Sequence, residues 1–219
     1  MSDGQAAPFT PSETVLLHGR RFAGEVGMLR AREELLTGEG KVSTDQLAET
    51  ALAAAVLGME RAGDVRLEVR MKKTLFGLIS RKALFVSPAG PGSWPEKSVE
   101  WHLRQRLSGE TEAGDLVHAW LEHDTSNPAS DVLARVKRGL SARGLLEEVE
   151  VKKLKIFTTY EYRLPESTAA AVRGHSPDEV RALLDGAERS RPELWQLLKK
   201  QVGSALARRT EQSDAGGPD

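Results

Sequence analysis

The sequence predicts a mainly α-helical domain that carries β-hairpins, an α+β class. Two observations predict it. From Val132 the apolar positions fall at Val132, Leu133, Val136, Leu140 and Leu145, near the helical period, and Arg143-Gly144 supplies a cationic last turn and a stop. The period then changes to two. Leu154, Ile156, Thr158, Tyr160, Tyr162 and Leu164 alternate with Lys155, Phe157, Thr159, Glu161 and Arg163. Val149 and Val151 form a shorter arm, with the turn expected at Lys152-Lys153. A helix followed by a hairpin is a winged-helix-like unit, and an earlier stretch repeats its outline.

Taken in order, Met1 to Pro11 is small and polar with two prolines and is expected to be a flexible arm. It has neither a basic start nor an apolar run, so no secretory signal is expected. Ser12 to Leu36 reads as helix, with breaks expected at Gly19, Gly24 and Gly27. Gly38-Glu39-Gly40 is a turn. The rest of a phosphate-loop pattern is missing around Gly38 to Lys41. Ser43 with Gln46 forms a capping box for an Ala-rich helix, Thr44 to Ala62, apolar enough to lie inside the core.

Val65, Leu67 and Val69 alternate with Arg66, Glu68 and Arg70 in a strand, and Ala83 to Val86 returns as a second. Ser93 and Glu96, with Pro95 between them, predict a helix carrying Val99, Leu103 and Leu107. Asp115 to His123 is a short helix. Beyond Pro165, Ser176-Pro177-Asp178-Glu179 and Ser190-Arg191-Pro192-Glu193 each start a helix, Val180 to Ala187 and Leu194 to Ala207. A single globular domain over 12–207 and a disordered tail over 208–219 complete the layout. Arg61-Ala62-Gly63 with Lys72-Lys73, and Ala142-Arg143-Gly144 with Lys152-Lys153, are similar enough to raise a duplication.

Composition narrows function. At 219 residues and 39% hydrophobic content the chain can bury a real core. A net charge of −1 argues against polyanion binding by the whole molecule, so any basic surface is local. There is no cysteine, hence no disulfide framework and no thiolate chemistry, and a cytoplasmic setting is expected. No apolar run reaches the roughly 18 residues of a membrane span, so membrane contact would be peripheral.

No catalytic constellation emerges. His118 and His123 are five apart, off the i, i+4 spacing that stacks two metal ligands. Gly-x-Ser-x-Gly is absent, and adjacent Glu33-Glu34 or Glu147-Glu148 cannot face each other across a substrate. The expectation is a non-enzyme with no metal and no cofactor.

The cations carry what remains. Lys72-Lys73 and Arg81-Lys82 bracket an apolar loop that includes Leu75, Phe76, Leu78 and Ile79, and Lys152, Lys153 and Lys155 mark the second hairpin. Each cation is worth about 1 kcal/mol at an anionic membrane, and the loop would bury apolar area at about 25 cal/mol per Å². The candidate lipid-binding residues are therefore Lys72, Lys73, Leu75, Phe76, Arg81, Lys82, Lys152, Lys153 and Lys155. The other reading stays open, in which Leu75, Phe76 and Ile79 pack internally and the cations are solvated. Arg135, Lys137 and Arg138 on one helix keep a winged-helix DNA-binding regulator as the alternative. Hairpin edges and Leu-rich terminal helices keep a protein-interaction or self-association module as another.

Glu33-Glu34-Leu35-Leu36 (or Glu13 to Leu17), the run Ala51-Leu52-Ala53-Ala54-Ala55-Val56-Leu57 ending at Gly63-Asp64-Val65, and Leu140 to Leu146 before Phe157 to Leu164 follow one another in a set order. That order of elements resembles the Golgi phosphoprotein 3 family. The resemblance spans Thr14 to Pro165. It implies a mostly helical domain bearing hairpins. Eukaryotic members bind phosphatidylinositol 4-phosphate on Golgi membranes and act as adaptors for membrane-enzyme tails, so the resemblance implies an anionic membrane or phosphoinositide as partner. Their headgroup residues, a tryptophan and several cations, correspond to positions near Ser43, Leu52, Ser130 and Leu133, none aromatic or basic. The headgroup site therefore does not carry over, as in a divergent, prokaryotic-type member.

Overall fold

The computed structural model describes residues 9–25, 31–38, 40–74, 79–121, 127–153 and 157–215. Helix accounts for 56% and strand for 20%, so the α+β class with helix predominant holds. The helices are α1 (Pro11–Leu17), α2 (Thr44–Arg61), α3 (Val99–Arg106), α4 (Ala113–Trp120), α5 (Pro128–Ala142), α6 (Glu166–Gly174), α7 (Asp178–Ser190) and α8 (Pro192–Ala215). The strands are β1 (Arg32–Glu34), β2 (Lys41–Ser43), β3 (Val65–Thr74), β4 (Ile79–Pro88), β5 (Thr111–Glu112), β6 (Glu147–Lys153) and β7 (Phe157–Arg163).

The core is built around α2. Ser43 caps it by accepting from the Gln46 N–H at 3.3 Å, and Leu47, Leu52, Ala54, Ala55 and Leu57 are fully buried. A helix this apolar is covered on nearly every side, here by α1, α5, α7 and α8. Small residues set how close the neighbours come. A Cβ on Gly58 would stand 2.6 Å from Pro11 Cγ, and one on Gly139 of α5 would stand 2.4 Å from the Lys97 carbonyl oxygen.

Both expected helix–hairpin units are present. α2 and α5 end on the same device. Gly63 (φ 78°) and Gly144 (φ 72°) take the left-handed conformation. Asp64 N–H returns to Met59 O at 3.0 Å, and Leu145 N–H to Leu140 O at 2.9 Å. Gly63 and Gly144 N–H return to Glu60 O and Ser141 O, completing two Schellman caps. β3 pairs antiparallel with β4 from Val65↔Pro88 to Thr74↔Ile79, and β6 with β7 from Glu147↔Arg163 to Lys153↔Phe157. The units interlock through β5. It leads into α4 and thence α5, yet pairs with β4 of the first hairpin. The second hairpin stays two-stranded and packs chiefly on itself.

Several expectations need correction. The helix read over Ser12 to Leu36 is α1, a 3₁₀ turn at Gly19–Arg21, and then β1, which pairs with β2 across the Gly38–Gly40 turn. A Cβ on Gly19 would stand 2.5 Å from Leu35 Cδ2, so the glycine lets Leu35 pack against the end of α1. Glu33 and Glu34 are therefore strand residues. The third helix starts at Val99, where Ser98, not Ser93, accepts from the Trp101 N–H at 3.1 Å. Helix α6 had no expectation at all. Lys152 and Lys153 end β6, so the turn falls after them, outside the described residues. At the ends, Phe9 is buried at the start of α1, and α8 continues through Ala215.

Candidate functional site

Side chains alternate along β3, placing Arg70 and Lys72 on one face and Val69, Met71 and Lys73 on the other. On the first face the cations meet carboxylates. Pairing of β5 with β4 through Phe85↔Glu112 brings Glu112, 6% exposed, beneath the hairpin. Its carboxylate accepts from Lys72 Nζ, from an Arg81 Nη at 3.0 Å and from Gln201 Nε2 of α8 at 3.1 Å. A buried carboxylate requires such partners. Arg70 pairs with Glu110 and lies 4.5 Å over the Phe85 ring.

The second face carries the exposed part. Met71 is 58% exposed and sits directly across from Lys82, with exposed Lys73 two residues further out. Lys82 pairs with Glu193 in the first turn of α8. Among the described residues the large apolar side chains that stand exposed are Met71 and Tyr160, and both are on hairpins. Tyr160 is opposite Glu150 on β7, and its neighbour by alternation, Tyr162, packs against the core with Lys137 Nζ 6.0 Å from its ring centre.

Lys72 and Arg81 are thus brought together around one carboxylate, and Lys82 is brought beside Met71. Lys152 and Lys153 belong to the other hairpin. Leu75, Phe76 and Lys155 lie outside the described residues. The sequence reading missed Met71 and Tyr160. Strand alternation would have found Met71, as the first apolar position on the inward face beyond the reach of the core.

Two of the three cations of α5, Arg135 and Lys137, are occupied within the fold, while Arg138 is exposed. Arg135 donates to Asp131 at 2.9 Å and to the Trp120 and Leu121 carbonyls at 3.2 and 3.3 Å, and lies 5.1 Å over the Trp120 ring. Lys137 pairs with Glu33 of β1, and Arg143 with Glu13 of α1. Glu13 and Glu100 are enclosed, at 1% and 0% exposure. Glu100 accepts from the Ser12 N–H at 2.9 Å and bonds its hydroxyl at 3.0 Å. Burial, and then the charge of Glu13, push the Glu100 carboxyl up to about 7. Such a pair could serve acid–base chemistry, but neither carboxylate lines any of five cavities seen among the described residues, and Glu100 ties α3 to α1 through Ser12. Among the described residues no group of three or more His, Asp or Glu is placed to hold a metal ion.

Two cavities of about 690 and 600 Å³ flank His175. The smaller is lined by Phe9, Pro11, Trp94 and Leu183, with Arg61 paired to Glu179 at 2.8 Å. The larger is basic. No family model, curated protein or solved structure matches the chain. The resemblance to the Golgi phosphoprotein 3 family rests on element order alone.

Proposed function

We propose that this chain is a non-enzymatic protein that lies on an anionic membrane surface through its hairpins, or docks a partner there as an adaptor. One observation carries the reading: among the described residues the exposed large apolar side chains, Met71 and Tyr160, both stand on long hairpins, and Met71 is flanked by Lys73 and Lys82. An apolar side chain set between cations is the pairing an anionic membrane receives, with the apolar group below the headgroups and the charges among them. Residues 65–88 hold six cations and one carboxylate in a chain of net charge −1, so positive charge is concentrated where the apolar group is. No described helix is long and apolar enough to cross a membrane, which is compatible with peripheral contact.

The carboxylates beneath the hairpin sharpen the reading. Glu112 holds Lys72 and Arg81 as scaffold, and the membrane-facing work falls to Met71 and Lys73, joined by Lys82 once its exposed pair with Glu193 opens. The family resemblance supports the same class of function by a different surface, its headgroup positions being unmatched. The engagement of Arg135 and Lys137 inside the fold counts against α5 as a groove-reading helix.

Co-flotation with vesicles of phosphatidylcholine containing phosphatidylserine tests this. Burying Met71 is worth about 1.5–3 kcal/mol and each cation about 1 kcal/mol. The variant Met71→Asp/Lys73→Glu should therefore float at least ten-fold less well than wild type. Equal recovery would refute the hairpin surface.

A further inference from the structure

We propose that the basic cavity between the end of α1 and the α6–α7 link binds a phosphomonoester. This site is separate from the hairpins and does not depend on them. The cavity, about 690 Å³, is walled by the 3₁₀ turn after α1, by Leu35 and Thr37 near β1, and by residues 172–177. Its polar lining is cationic. Arg20, Arg21 and Arg173 line it with His18 and His175, and among the described residues no Asp or Glu does. That separates it from the other described cavities, whose walls each include a carboxylate: Glu179, Glu49, Glu112 or Glu148.

The cations come from two parts of the chain some 150 residues apart in sequence. Folding brings them to one rim because α1 packs on α7 and His175 bonds Thr14 Oγ1 at 3.2 Å. Like charges held together cost energy unless something negative lies among them. The local partners are weak. Arg20 pairs with Glu25 at 2.9 Å and Arg173 with Glu166 at 2.8 Å, but all four side chains are more than half exposed. Pairs of that kind contribute about 0–1 kcal/mol, so a dianion entering the cavity can displace them cheaply. The carbonyl ends of α1 and α6 put partial negative charge nearby, each about half a unit at most, which three guanidinium groups outweigh.

Guanidinium groups favour planar oxyanions, and phosphate oxygens accept two parallel N–H bonds from one arginine. Hydroxyls at Thr37 and Ser176 add neutral partners for the rest of a ligand. The volume is far larger than phosphate alone and falls in the range of about 300–1,000 Å³ typical of small-molecule sites. The chemistry is therefore a phosphomonoester on a polar skeleton, either free in solution or presented by a lipid headgroup.

Titration calorimetry of the full chain at low salt, with fructose 1,6-bisphosphate against fructose, tests the soluble source. Flotation with phosphatidylcholine vesicles containing phosphatidic acid, against equal phosphatidylserine, tests the lipid source. Saturable binding in either arm supports the proposal, and which arm responds identifies the source. Binding should fall at least ten-fold in Arg20→Ala/Arg173→Ala, whose exposed side chains can be removed without opening the core. In the hairpin variant Met71→Asp/Lys73→Glu the calorimetric binding should be unchanged, and the excess of flotation on phosphatidic acid over phosphatidylserine should persist although total flotation falls. Binding untouched by the arginine substitutions, or no calorimetric binding together with equal flotation on phosphatidic acid and phosphatidylserine, would overturn it.

Discussion

Glu100 is the residue whose environment most departs from water. Its carboxyl is enclosed, rests on Ser12, and is raised from 4.5 to about 7 by burial and by Glu13. The folded state therefore holds a proton that the unfolded chain releases at lower pH. The stability this group contributes is complete below about pH 4.5 and is lost as pH rises to about 7. Gln in its place keeps the oxygen that accepts from the Ser12 N–H and cannot ionise. Glu100→Gln should thus be no less stable than wild type at pH 8, with its advantage shrinking toward pH 5, as read by urea unfolding at the two values. A wild type that gains on the variant as pH rises would contradict the assignment. Gly139 makes a steric prediction at the same scale. A Cβ there meets a backbone carbonyl that no rotamer change can move, so Gly139→Ala should cost about 2–3 kcal/mol in thermal or denaturant unfolding.

At the scale of elements, much of the fold was legible because local rules and tertiary packing agreed. The α5 face, its Arg143-Gly144 stop and the alternation beyond it all read directly from the chain. So did Ser43 as a cap and the buried, Ala-rich α2. Where reading failed, a distant contact decided. The break at Gly19 was legible, but the strand after it was not, because β1 exists only through its pairing with β2. Ser93 satisfied a local capping pattern, but the chain reserves that role for Ser98. The candidate site divides the same way. That cations cluster on the first hairpin was visible; that Glu112 would bind two of them was not, since forty residues separate Glu112 from Lys72. Glu112 also reaches Gln201, so it fastens the hairpin to α8. Glu112→Ala should cost about 2 kcal/mol, because the glutamate is buried although its partners are half exposed. Amide exchange should accelerate through β3 and β4 and leave β6 and β7 unchanged. Lys82→Ala, which breaks the exposed pair with Glu193, should cost under about 1 kcal/mol.

At the scale of the molecule, two helix–hairpin units share one core and end their helices on the same glycine cap, while β5 binds the second unit to the first. Such an arrangement holds two hairpins on a rigid base. On the proposed function, this base presents Met71 and Tyr160 to an anionic membrane. The chain has no cysteine, so a single introduced thiol reports one position. Met71→Cys and Tyr160→Cys, each carrying an environment-sensitive fluorophore, should shift to the blue on adding phosphatidylserine vesicles and be quenched by bromine-labelled lipid. The same probe on exposed Gln105→Cys of α3 should not respond. Silence at both hairpin positions, or an equal response at all three, would contradict the account.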